Sequence, residues 1–329
     1  MFASLKFLHQ KLGAPMQTMP ARLISKTALS PDTSDFAFAL LNGRCDGLEP
    51  GAHVDVHLGE GLTRQYSLWD WSDDQSVLHV AVKREDEGRG GSRAMHGLEV
   101  GAEVQLGGPR NHFALKPGKT FVTLIAGGIG ATPLVAMARA LRDEGRAFQV
   151  YYLARSMDLA AMDQEFHQLD LGDKYHPHCD DRDGMFDLQS VLSDLPEGSD
   201  VYTCGPEPML NAVLDGSSLL KGGQVHFERF AAVENASEDE NESFEVELRS
   251  TGAVYDVGPE DSILSVLQAN DISVDFGCSE GLCGSCIVDV INGEVDHRDG
   301  ILSSEEQATN SFMCTCVSRA KSARLVLDL

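Results

Sequence analysis

Three closely spaced cysteines and a later one have the spacing of an iron–sulfur site. Cys278, Cys283 and Cys286 follow the pattern Cys-x4-Cys-x2-Cys, and a fourth thiol comes at Cys314 or Cys316. This is the plant-type pattern for a 2Fe–2S cluster, in which four thiolates bind two irons. Structural zinc sites usually carry two Cys-x2-Cys pairs, whereas this segment has one close triplet and a remote cysteine. The spacing therefore favours a 2Fe–2S cluster over zinc.

The fourth cluster ligand stays open between Cys314 and Cys316 on spacing alone, because only one of them can bind. The tail Cys316-Val317-Ser318-Arg319-Ala320, preceded by Asp296-His297-Arg298-Asp299, resembles the ferredoxin domain of the phthalate dioxygenase reductase and vanillate demethylase reductase family. In that family the ligand directly precedes Val-Ser-Arg-Ala, so the resemblance implies Cys316.

Charge and hydropathy exclude several classes of partner. The 329 residues carry a formal net charge of −25, which argues against nucleic acid because binding to a duplex needs lysines and arginines. From Glu245 to the end there are 15 acidic and 5 basic residues, so a basic protein partner is easier to accommodate. No apolar run approaches the roughly 20 residues that a membrane span requires.

The N-terminal segment and the remaining cysteines bear on location. Lys6 interrupts the first apolar run, and no small-residue cleavage site follows it, so residues 1–18 are predicted to be an accessory amphipathic segment rather than a signal peptide. The cysteines outside the cluster motif do not form a disulfide framework, and a cytoplasmic location is expected.

Residues 19–116 have the pattern of a small antiparallel β-barrel, because short runs at 36–40, 54–58 and 78–82 alternate between apolar and other residues. Within them, Arg64-Gln65-Tyr66-Ser67 precedes Val82-Lys83 and Gly90-Gly91-Ser92, a loop whose N–H groups can bind a phosphate. In this order the motifs resemble the flavin domain of the same reductases.

This resemblance implies a role for each flavin-site residue. Arg64 would neutralise the phosphate, Tyr66 would pack on the flavin, and Ser67 would hydrogen-bond near its reactive N5 edge. It implies FMN, since relatives that use FAD carry other residues at this loop. Arg110, at the end of the barrel, is either a family residue or a solvated surface charge. The predicted flavin-binding residues are Arg64, Gln65, Tyr66, Ser67, Val82, Lys83, Gly90, Gly91 and Ser92.

Residues 117–230 have the pattern of an α/β nicotinamide-binding domain with a parallel sheet. An apolar strand at 121–126 runs into a glycine turn and a helix that opens with Thr132-Pro133, which is a pyrophosphate cradle. Pro133 replaces the third glycine of the common fingerprint, a variant found in ferredoxin reductase-like proteins. The family favours NADH, and NADPH is left open because no acidic residue ends the second strand. The predicted dinucleotide-binding residues are Gly127, Gly128, Gly130, Thr132, Pro133, Arg155 and Ser156.

Cys204-Gly205-Pro206 follows a later strand and opens a helix. It resembles the segment where these reductases place the nicotinamide beside the flavin, and the alternative for Cys204 is a buried core residue. The predicted catalytic residues are Ser67 and Cys204, the latter as a positioning group rather than a nucleophile. Phe230 is predicted either to stack on the flavin or to pack in the core.

Residues 231–243 are predicted to be an acidic linker, since five acidic and no basic residues interrupt the apolar pattern there. Residues 244–329 are predicted to form an α+β, β-grasp ferredoxin domain. The motifs occur in order across nearly the whole chain, so it resembles a multidomain NAD(P)H-dependent reductase of a Rieske-type oxygenase. The alternatives are a reductase for another one-electron acceptor and a redox-sensing binding protein.

Overall fold

The structure is a computed structural model, and it describes residues 18–59, 61–230, 241–282, 284–302 and 304–329, without the side chains of Ser304 and Glu305. The predicted accessory segment up to residue 17, most of the predicted linker, and Cys283 lie outside the described residues. The chain divides into two compact units, one ending at Phe230 and one that contains the C-terminal region from Ala231 to Leu329.

The first unit begins with a closed six-stranded barrel, in which all neighbouring strands are antiparallel and follow the order β1-β2-β5-β4-β3-β6. Closure leaves no strand edge unpaired. The alternating apolar residues predicted from the sequence point inwards, for example Phe36 and Phe38, which are fully buried. The strands are β1 Thr18–Ala28, β2 Thr33–Leu40, β3 His53–His57, β4 Thr63–Trp71, β5 Val77–Lys83 and β6 Glu103–Arg110, with helix α1 at Gly91–Gly97 between β5 and β6.

A five-stranded parallel sheet follows in the same unit, with the strand order β11-β10-β7-β8-β9. Every residue of the central strand β7 is buried, as expected of a strand covered on both faces. The strands are β7 Val122–Gly127, β8 Phe148–Ala154, β9 Tyr175–Cys179, β10 Asp200–Cys204 and β11 Val225–Glu228. The helices are α2 Ala131–Asp143, α3 Asp163–Gln168, α4 Asp180–Asp183, α5 Leu188–Asp194 and α6 Glu207–Asp215, with 3-10 turns at Gly128–Gly130, Met157–Leu159, Gly172–Lys174 and Gly216–Leu219.

The barrel and the parallel sheet share one apolar core, which fixes strand β4 against helix α2. Trp69 of β4 belongs to the same buried cluster as Leu134 and Met137 of α2. Arg139 of α2 adds a polar contact, because its Nη1 lies 2.6 Å from Oδ1 of Asp70. The indole Nε1 of Trp69 donates to Oδ1 of Asp35 at 2.8 Å. The end of β4 is therefore held at a fixed position relative to the sheet.

The second unit is a mixed sheet with the strand order β13-β12-β18-β14-β16, in which β12 and β18 are parallel. Helix α7 packs beside it, begins after Ser262, and has a capping box between Ser262 and Ser265. The strands are β12 Phe244–Leu248, β13 Val254–Val257, β14 Ile287–Asn292, β15 Val295–Asp296, β16 Phe312–Cys314, β17 Arg319–Ala320 and β18 Arg324–Leu327, and the helices are α7 Ile263–Ala269 and α8 Ser304–Thr309. The predicted barrel, parallel sheet and α+β domain are all confirmed. None of the helices described is long and apolar enough to cross a membrane.

Candidate functional site

The strand motif and the glycine loop predicted to bind the flavin phosphate meet in the structure. The guanidinium of Arg64 donates to the carbonyl of Thr63 at 2.8 Å and to that of Arg89 at 3.1 Å. A methyl group at Gly91 would lie 2.4 Å from Cγ of Arg64, so the loop can approach the arginine only with glycine there. The hydroxyl of Ser92 donates to the carbonyl of Glu85 at 3.2 Å and closes the loop.

The next residues of the strand motif face opposite sides of β4. The ring of Tyr66 packs against the apolar core of the barrel, and burial raises the pKa of its hydroxyl. Nε2 of Gln65 instead donates to Oδ1 of Asp55 at 2.8 Å. The Gln65 side chain is therefore hydrogen-bonded within the protein. Only the backbone of Gln65 is available to contact a ligand near Arg64.

The two predicted residues on β5 differ in what they expose. Val82 is buried and its carbonyl accepts from Nε2 of His96 at 2.8 Å. Nζ of Lys83 lies 2.7 Å from Oε1 of Glu85, close to the glycine loop, and keeps 41% of its side chain exposed. Lys83 is thus positioned at the surface near the same loop as Arg64 and Ser92.

Arg110 is not a solvated surface charge. Its Nη2 lies 2.6 Å from Oδ1 of Asp55, and the Asp55 side chain is completely buried. Asp55 also accepts the Gln65 amide, so the ion pair braces the outer face of β4 beside the flavin motif. The sequence did not indicate a role for Asp55. Nothing in the residues around it shows that its carboxylate is buried and paired with Arg110 of β6.

The glycine turn after β7 packs directly on the loop after β10. A methyl group at Gly130 would lie 2.4 Å from the carbonyl carbon and oxygen of Cys204. A methyl group at Gly127 would lie 2.7 Å from atoms of Pro206 and Met209. The hydroxyl of Thr132 donates to the carbonyl of Ile129 at 3.1 Å and closes the turn before α2. The two predicted dinucleotide segments are therefore in contact.

The first turn of α2 suits an anion. No acidic residue lies in it and no side chain caps it. Gly128 and Gly130 lie in the 3-10 turn just before it, and Thr132 and Pro133 lie in its first turn. The dipole of a helix favours an anion at its N-terminus. Nearby, Arg155 and Ser156 follow the end of β8, and Arg155 is exposed while the Ser156 hydroxyl donates to Asp158.

Ser67, Cys204 and Glu228 converge where the barrel meets the carboxyl ends of the parallel strands. Cys204 lies beside Glu228 in the register of β10 and β11. Oγ of Ser67 lies 3.4 Å from Oε2 of Glu228. Ligands of open parallel sheets bind outside the carboxyl ends of the strands. Glu228 is a functional candidate that sequence analysis missed, since only its partly buried position beside Cys204 and Ser67 distinguishes it from other glutamates.

The pKa shifts of Glu228 and Cys204 indicate different roles for the two side chains. Burial raises the pKa of the Glu228 carboxyl to about 8, against the smaller opposing effect of the Ser67 hydrogen bond. Burial, and then the charge of Glu228, raise the pKa of the Cys204 thiol well above its usual value. A thiol that stays protonated is a poor nucleophile, so Cys204 suits a positioning role, whereas Glu228 can carry a proton near neutral pH.

Phe230, just after β11, is 41% exposed. It is not a core residue, which leaves its ring available for a planar ligand. Arg229 before it turns away, because its Nε lies 3.2 Å from Oε2 of Glu207.

In the second unit, the described thiols of the cluster motif come together. Cys286, Cys314 and Cys316 lie in one buried cluster, and the thiols of Cys314 and Cys316 lower the pKa of the Cys286 thiol. The pKa values of Cys314 and Cys316 are raised, first by Cys286 and then by burial. This convergence of thiols fits the ligand set of an iron–sulfur cluster.

Backbone N–H groups also point at the sulfurs. Those of Glu280 and Leu282 donate to Sγ of Cys278, at 3.2 Å and 3.4 Å. The pKa of the Cys316 thiol is raised by the charge of Cys278 and lowered by the backbone N–H of Gly281, so both residues lie near it. A loop that wraps sulfur with amide donors is what a 2Fe–2S cluster requires.

Two family models match the chain. One is described as an oxidoreductase FAD-binding domain and matches residues 20–115. The other is described as a 2Fe-2S iron-sulfur cluster binding domain and matches residues 246–321.

Proteins of known function are similar over most of the chain. A vanillate O-demethylase oxidoreductase of Pseudomonas sp. strain HR199 is 42% identical over 87% of this chain and 93% of its own. The phthalate dioxygenase reductase of Burkholderia cepacia is 40% identical over 85% of this chain and 88% of its own.

Solved structures agree with this. A phthalate dioxygenase reductase matches with a TM-score of 0.71 at 36% identity, over 95% of this chain and 98% of that one. An intact type IV self-sufficient cytochrome P450 monooxygenase matches with a TM-score of 0.85 at 34% identity over 95% of this chain, which spans only 41% of that protein. The chain therefore belongs to the family of oxygenase-system reductases that includes phthalate dioxygenase reductase and vanillate O-demethylase oxidoreductase, and it is an oxidoreductase with a flavin-binding domain and a 2Fe–2S domain.

Proposed function

We propose that this chain takes hydride from NADH to FMN and delivers single electrons, through a 2Fe–2S cluster, to the terminal component of a Rieske-type oxygenase. The observation that carries the proposal is the convergence of Ser67 with Cys204 and Glu228, since Ser67 ends the flavin motif and Cys204 begins the predicted nicotinamide segment. A flavin, when bound, connects a two-electron donor to a one-electron carrier.

The side chains at this junction have different roles. Ser67, Cys204 and Phe230 orient the ligands, and Glu228 holds a proton. The Ser67 hydroxyl donates towards Glu228 and can turn to a flavin edge instead. Oε2 of Glu228 holds a proton up to about pH 8 and can exchange it through Ser67. The protonated thiol of Cys204 fills the end of β10 and limits how a nicotinamide can lie there. Phe230 is exposed and can cover a planar ring.

The flavin form proposed is FMN. Arg64 and the loop Gly90-Gly91-Ser92 together form a compact site for one phosphate. The family resemblance of this loop is to FMN-binding reductases. The description of the matching family model names FAD, so the released flavin has to be identified directly.

The nicotinamide form proposed is NADH rather than NADPH. Asp158 accepts the Ser156 hydroxyl four residues after β8, where the adenosine ribose is expected. Asp181 is also close, since its N–H donates to the carbonyl of Arg155 at 3.0 Å. Carboxylates at this position accept a ribose 2′-hydroxyl and repel a 2′-phosphate.

The cluster ligands proposed are Cys278, Cys283, Cys286 and Cys316. Cys316 rather than Cys314 is supported by the Val317-Ser318-Arg319-Ala320 context and by the nearby backbone of Gly281 in the cluster loop, which lowers the pKa of the Cys316 thiol. The domain boundaries proposed are 19–116, 117–230, 231–243 and 244–329, with residues 1–18 as an accessory segment. This arrangement puts the one-electron carrier in the C-terminal unit.

A Rieske-type oxygenase is proposed as the partner because the similar full-length reductases carry the names of such systems, including vanillate O-demethylase and phthalate dioxygenase. The second candidate acceptor is a cytochrome P450. The match with a self-sufficient cytochrome P450 monooxygenase, at a TM-score of 0.85, favours this alternative, because that protein holds the similar region within the chain of a P450.

The test uses the purified full-length chain with NADH or NADPH and three kinds of acceptor. We expect rapid NADH oxidation with a two-electron dye and with cytochrome c, and product formation when Rieske-type oxygenase components are supplied. Product formation with a cytochrome P450 and none with any Rieske-type component would favour the second candidate. Tight binding of NADH without turnover would instead indicate a redox sensor.

A further inference from the structure

The segment Asp296-His297-Arg298-Asp299 has no part in the site described so far, yet it contains a fully buried carboxylate. The side chain of Asp299 has no exposed surface. Its Oδ2 accepts the N–H of Leu302 at 2.8 Å, and its Oδ1 accepts the hydroxyl of Ser318 at 3.3 Å. Burying a charged carboxylate is costly unless it is paired or hydrogen-bonded.

Asp299 lies directly against the cluster loop. A methyl group at Gly281 would be 3.0 Å from Cα of Asp299, and Gly281 adopts a φ of +71°, which favours glycine. The N–H of Gly300 donates to the carbonyl of Gly281 at 3.0 Å. The N–H of the same Gly281 lies close enough to Cys316 to lower the pKa of its thiol. One glycine therefore separates Asp299 from the proposed fourth ligand.

The arginines of this region pair with groups other than Asp299. Arg298 pairs with Asp296, with Nε 2.6 Å from Oδ2. The guanidinium of Arg319 is directed at the backbone carbonyls of Glu242, Gly258 and Asp261. In the part of the chain that the structure describes, no lysine or arginine pairs with Asp299.

His297 is the group nearest to the free side of this carboxylate. Its Nδ1 lies 3.6 Å from Oδ1 of Asp299, and only 9% of the His297 side chain is exposed. Neither ring nitrogen of His297 has a hydrogen-bond partner among the described residues. The imidazole therefore lies beside Asp299 without forming a hydrogen bond to it.

A buried charge next to a redox centre changes its potential. One-electron reduction makes a 2Fe–2S cluster more negative, and a nearby carboxylate opposes that change most strongly where water is excluded. We propose that Asp299 is a positioning residue that lowers the reduction potential of the cluster through its buried charge, and that holds Gly281 beside the sulfur of Cys316. The proposal rests on the cluster ligands proposed above, and it makes the reduced cluster a stronger donor to its protein partner.

The test compares Asp299→Asn with the wild-type full-length chain. The visible and electron paramagnetic resonance spectra report whether the cluster is present, and a spectroelectrochemical titration gives its midpoint potential. We expect Asp299→Asn to keep the cluster and to raise the potential by at least about 59 mV, which corresponds to a tenfold change in the one-electron equilibrium constant. Asp299→Glu, which keeps the charge, is expected to shift it less.

The matched control is Asp256→Asn. Asp256 is exposed on β13, at the opposite edge of the sheet from β16, and its loss changes the net charge by the same amount. We expect this variant to leave the potential close to that of the wild type. An equal shift in both variants would overturn the proposal, because it would mean that net charge alone acts. A wild-type potential in Asp299→Asn would overturn it as well.

If Asp299→Asn does not retain a cluster, Ser318→Ala tests the effect of Asp299 on the reduction potential instead. It keeps the charge but removes the hydroxyl that donates to Oδ1. With less hydrogen bonding to the carboxylate, we expect the potential to become more negative, and an unchanged potential would contradict the proposal. The absence of any 2Fe–2S spectrum in the wild type would instead count against the cluster assignment itself.

Discussion

Oγ of Ser67 lies 3.4 Å from Oε2 of Glu228, although 161 positions of sequence separate the two residues. The contact joins the flavin motif of the barrel to the last strand of the parallel sheet. It also places a carboxyl with a raised pKa beside the hydroxyl expected to face the flavin. The junction between the two domains is therefore the place to test the proposed chemistry.

Replacing Glu228 by glutamine should slow dye reduction by NADH about 10²-fold, which is the lower end of what proton transfer by a positioned side chain contributes. An amide of the same shape keeps the hydrogen bond to Ser67 but cannot exchange a proton. Stopped-flow traces at saturating NADH measure the rate. Cys179→Ser, a buried cysteine at the end of β9, is the control and should retain the wild-type rate. A wild-type rate in Glu228→Gln would exclude Glu228 from proton transfer.

The same residue gives a pH dependence of stability with a definite sign. Glu228 keeps its proton up to about pH 8 in the folded chain, whereas the ordinary value of 4.5 applies when it is unfolded. Between these values the folded state binds more protons, so its contribution to the free energy of unfolding falls as the pH rises. The free energy of unfolding, measured by urea titration, should therefore fall less between pH 5 and pH 9 in Glu228→Gln than in the wild type. Parallel pH profiles for both proteins would show that the carboxyl is not buried in the way described.

Serine in place of Cys316 should abolish the visible absorption of the 2Fe–2S cluster, while serine at Cys314 should spare it. The reason is that Cys316 lies near the backbone N–H of Gly281 in the cluster loop and directly precedes Val317-Ser318-Arg319-Ala320, whereas Cys314 lies in β16 opposite Ile287. Absorption spectra and iron content of the two variants measure the difference. The opposite pattern would assign the fourth ligand to Cys314.

Arg64→Ala should weaken flavin binding by about 1.5–3 kcal/mol, because a phosphate would lose a charge-assisted hydrogen bond. Flavin fluorescence during dialysis measures the affinity, and acid-released flavin from the wild type should chromatograph as FMN. Arg44→Ala is a suitable control, since Arg44 pairs with Asp46 on an exposed loop. Equal retention by both variants would remove Arg64 from the phosphate site, and released FAD would overturn the choice of flavin.

Gly130→Ala should lower the free energy of unfolding by about 1–3 kcal/mol and weaken NADH binding, because overpacking forces backbone shifts. The added methyl group would lie 2.4 Å from the backbone of Cys204. Gly97→Ala is the control, because nothing lies within 4 Å of a methyl group there. Denaturant titration and NADH titration measure the two effects. If Gly130→Ala had the wild-type free energy of unfolding and NADH affinity, the two loops would not be in contact.

A chain shortened to end at Phe230 should keep flavin and reduce a two-electron dye with NADH, because that unit contains its own cores. It should fail to reduce cytochrome c or the oxygenase, since the proposed one-electron carrier is gone. The intact chain with Cys278→Ser is the control, and it should behave in the same way. Undiminished delivery to the oxygenase by the shortened chain would make the flavin the exit site.

Local sequence patterns are enough to predict the fold class of each region. Alternating apolar residues such as Phe36 and Phe38 predict barrel strands, and a fully apolar strand before Gly127 predicts a buried parallel strand. The cysteine spacing predicts the cluster domain. These signals are local, because side-chain periodicity and tight turns depend on neighbouring residues and so remain readable without the fold.

Tertiary structure alone decided which side chains share an environment. Glu228 differs from the other glutamates only because β11 places it beside Cys204 and Ser67. Arg110 is a partly buried partner of the buried Asp55 rather than a solvated surface charge, and Phe230 is exposed rather than packed in the core. Burial and pairing depend on residues that are far apart in the chain, and it is desolvation by those distant residues that sets the pKa of Glu228.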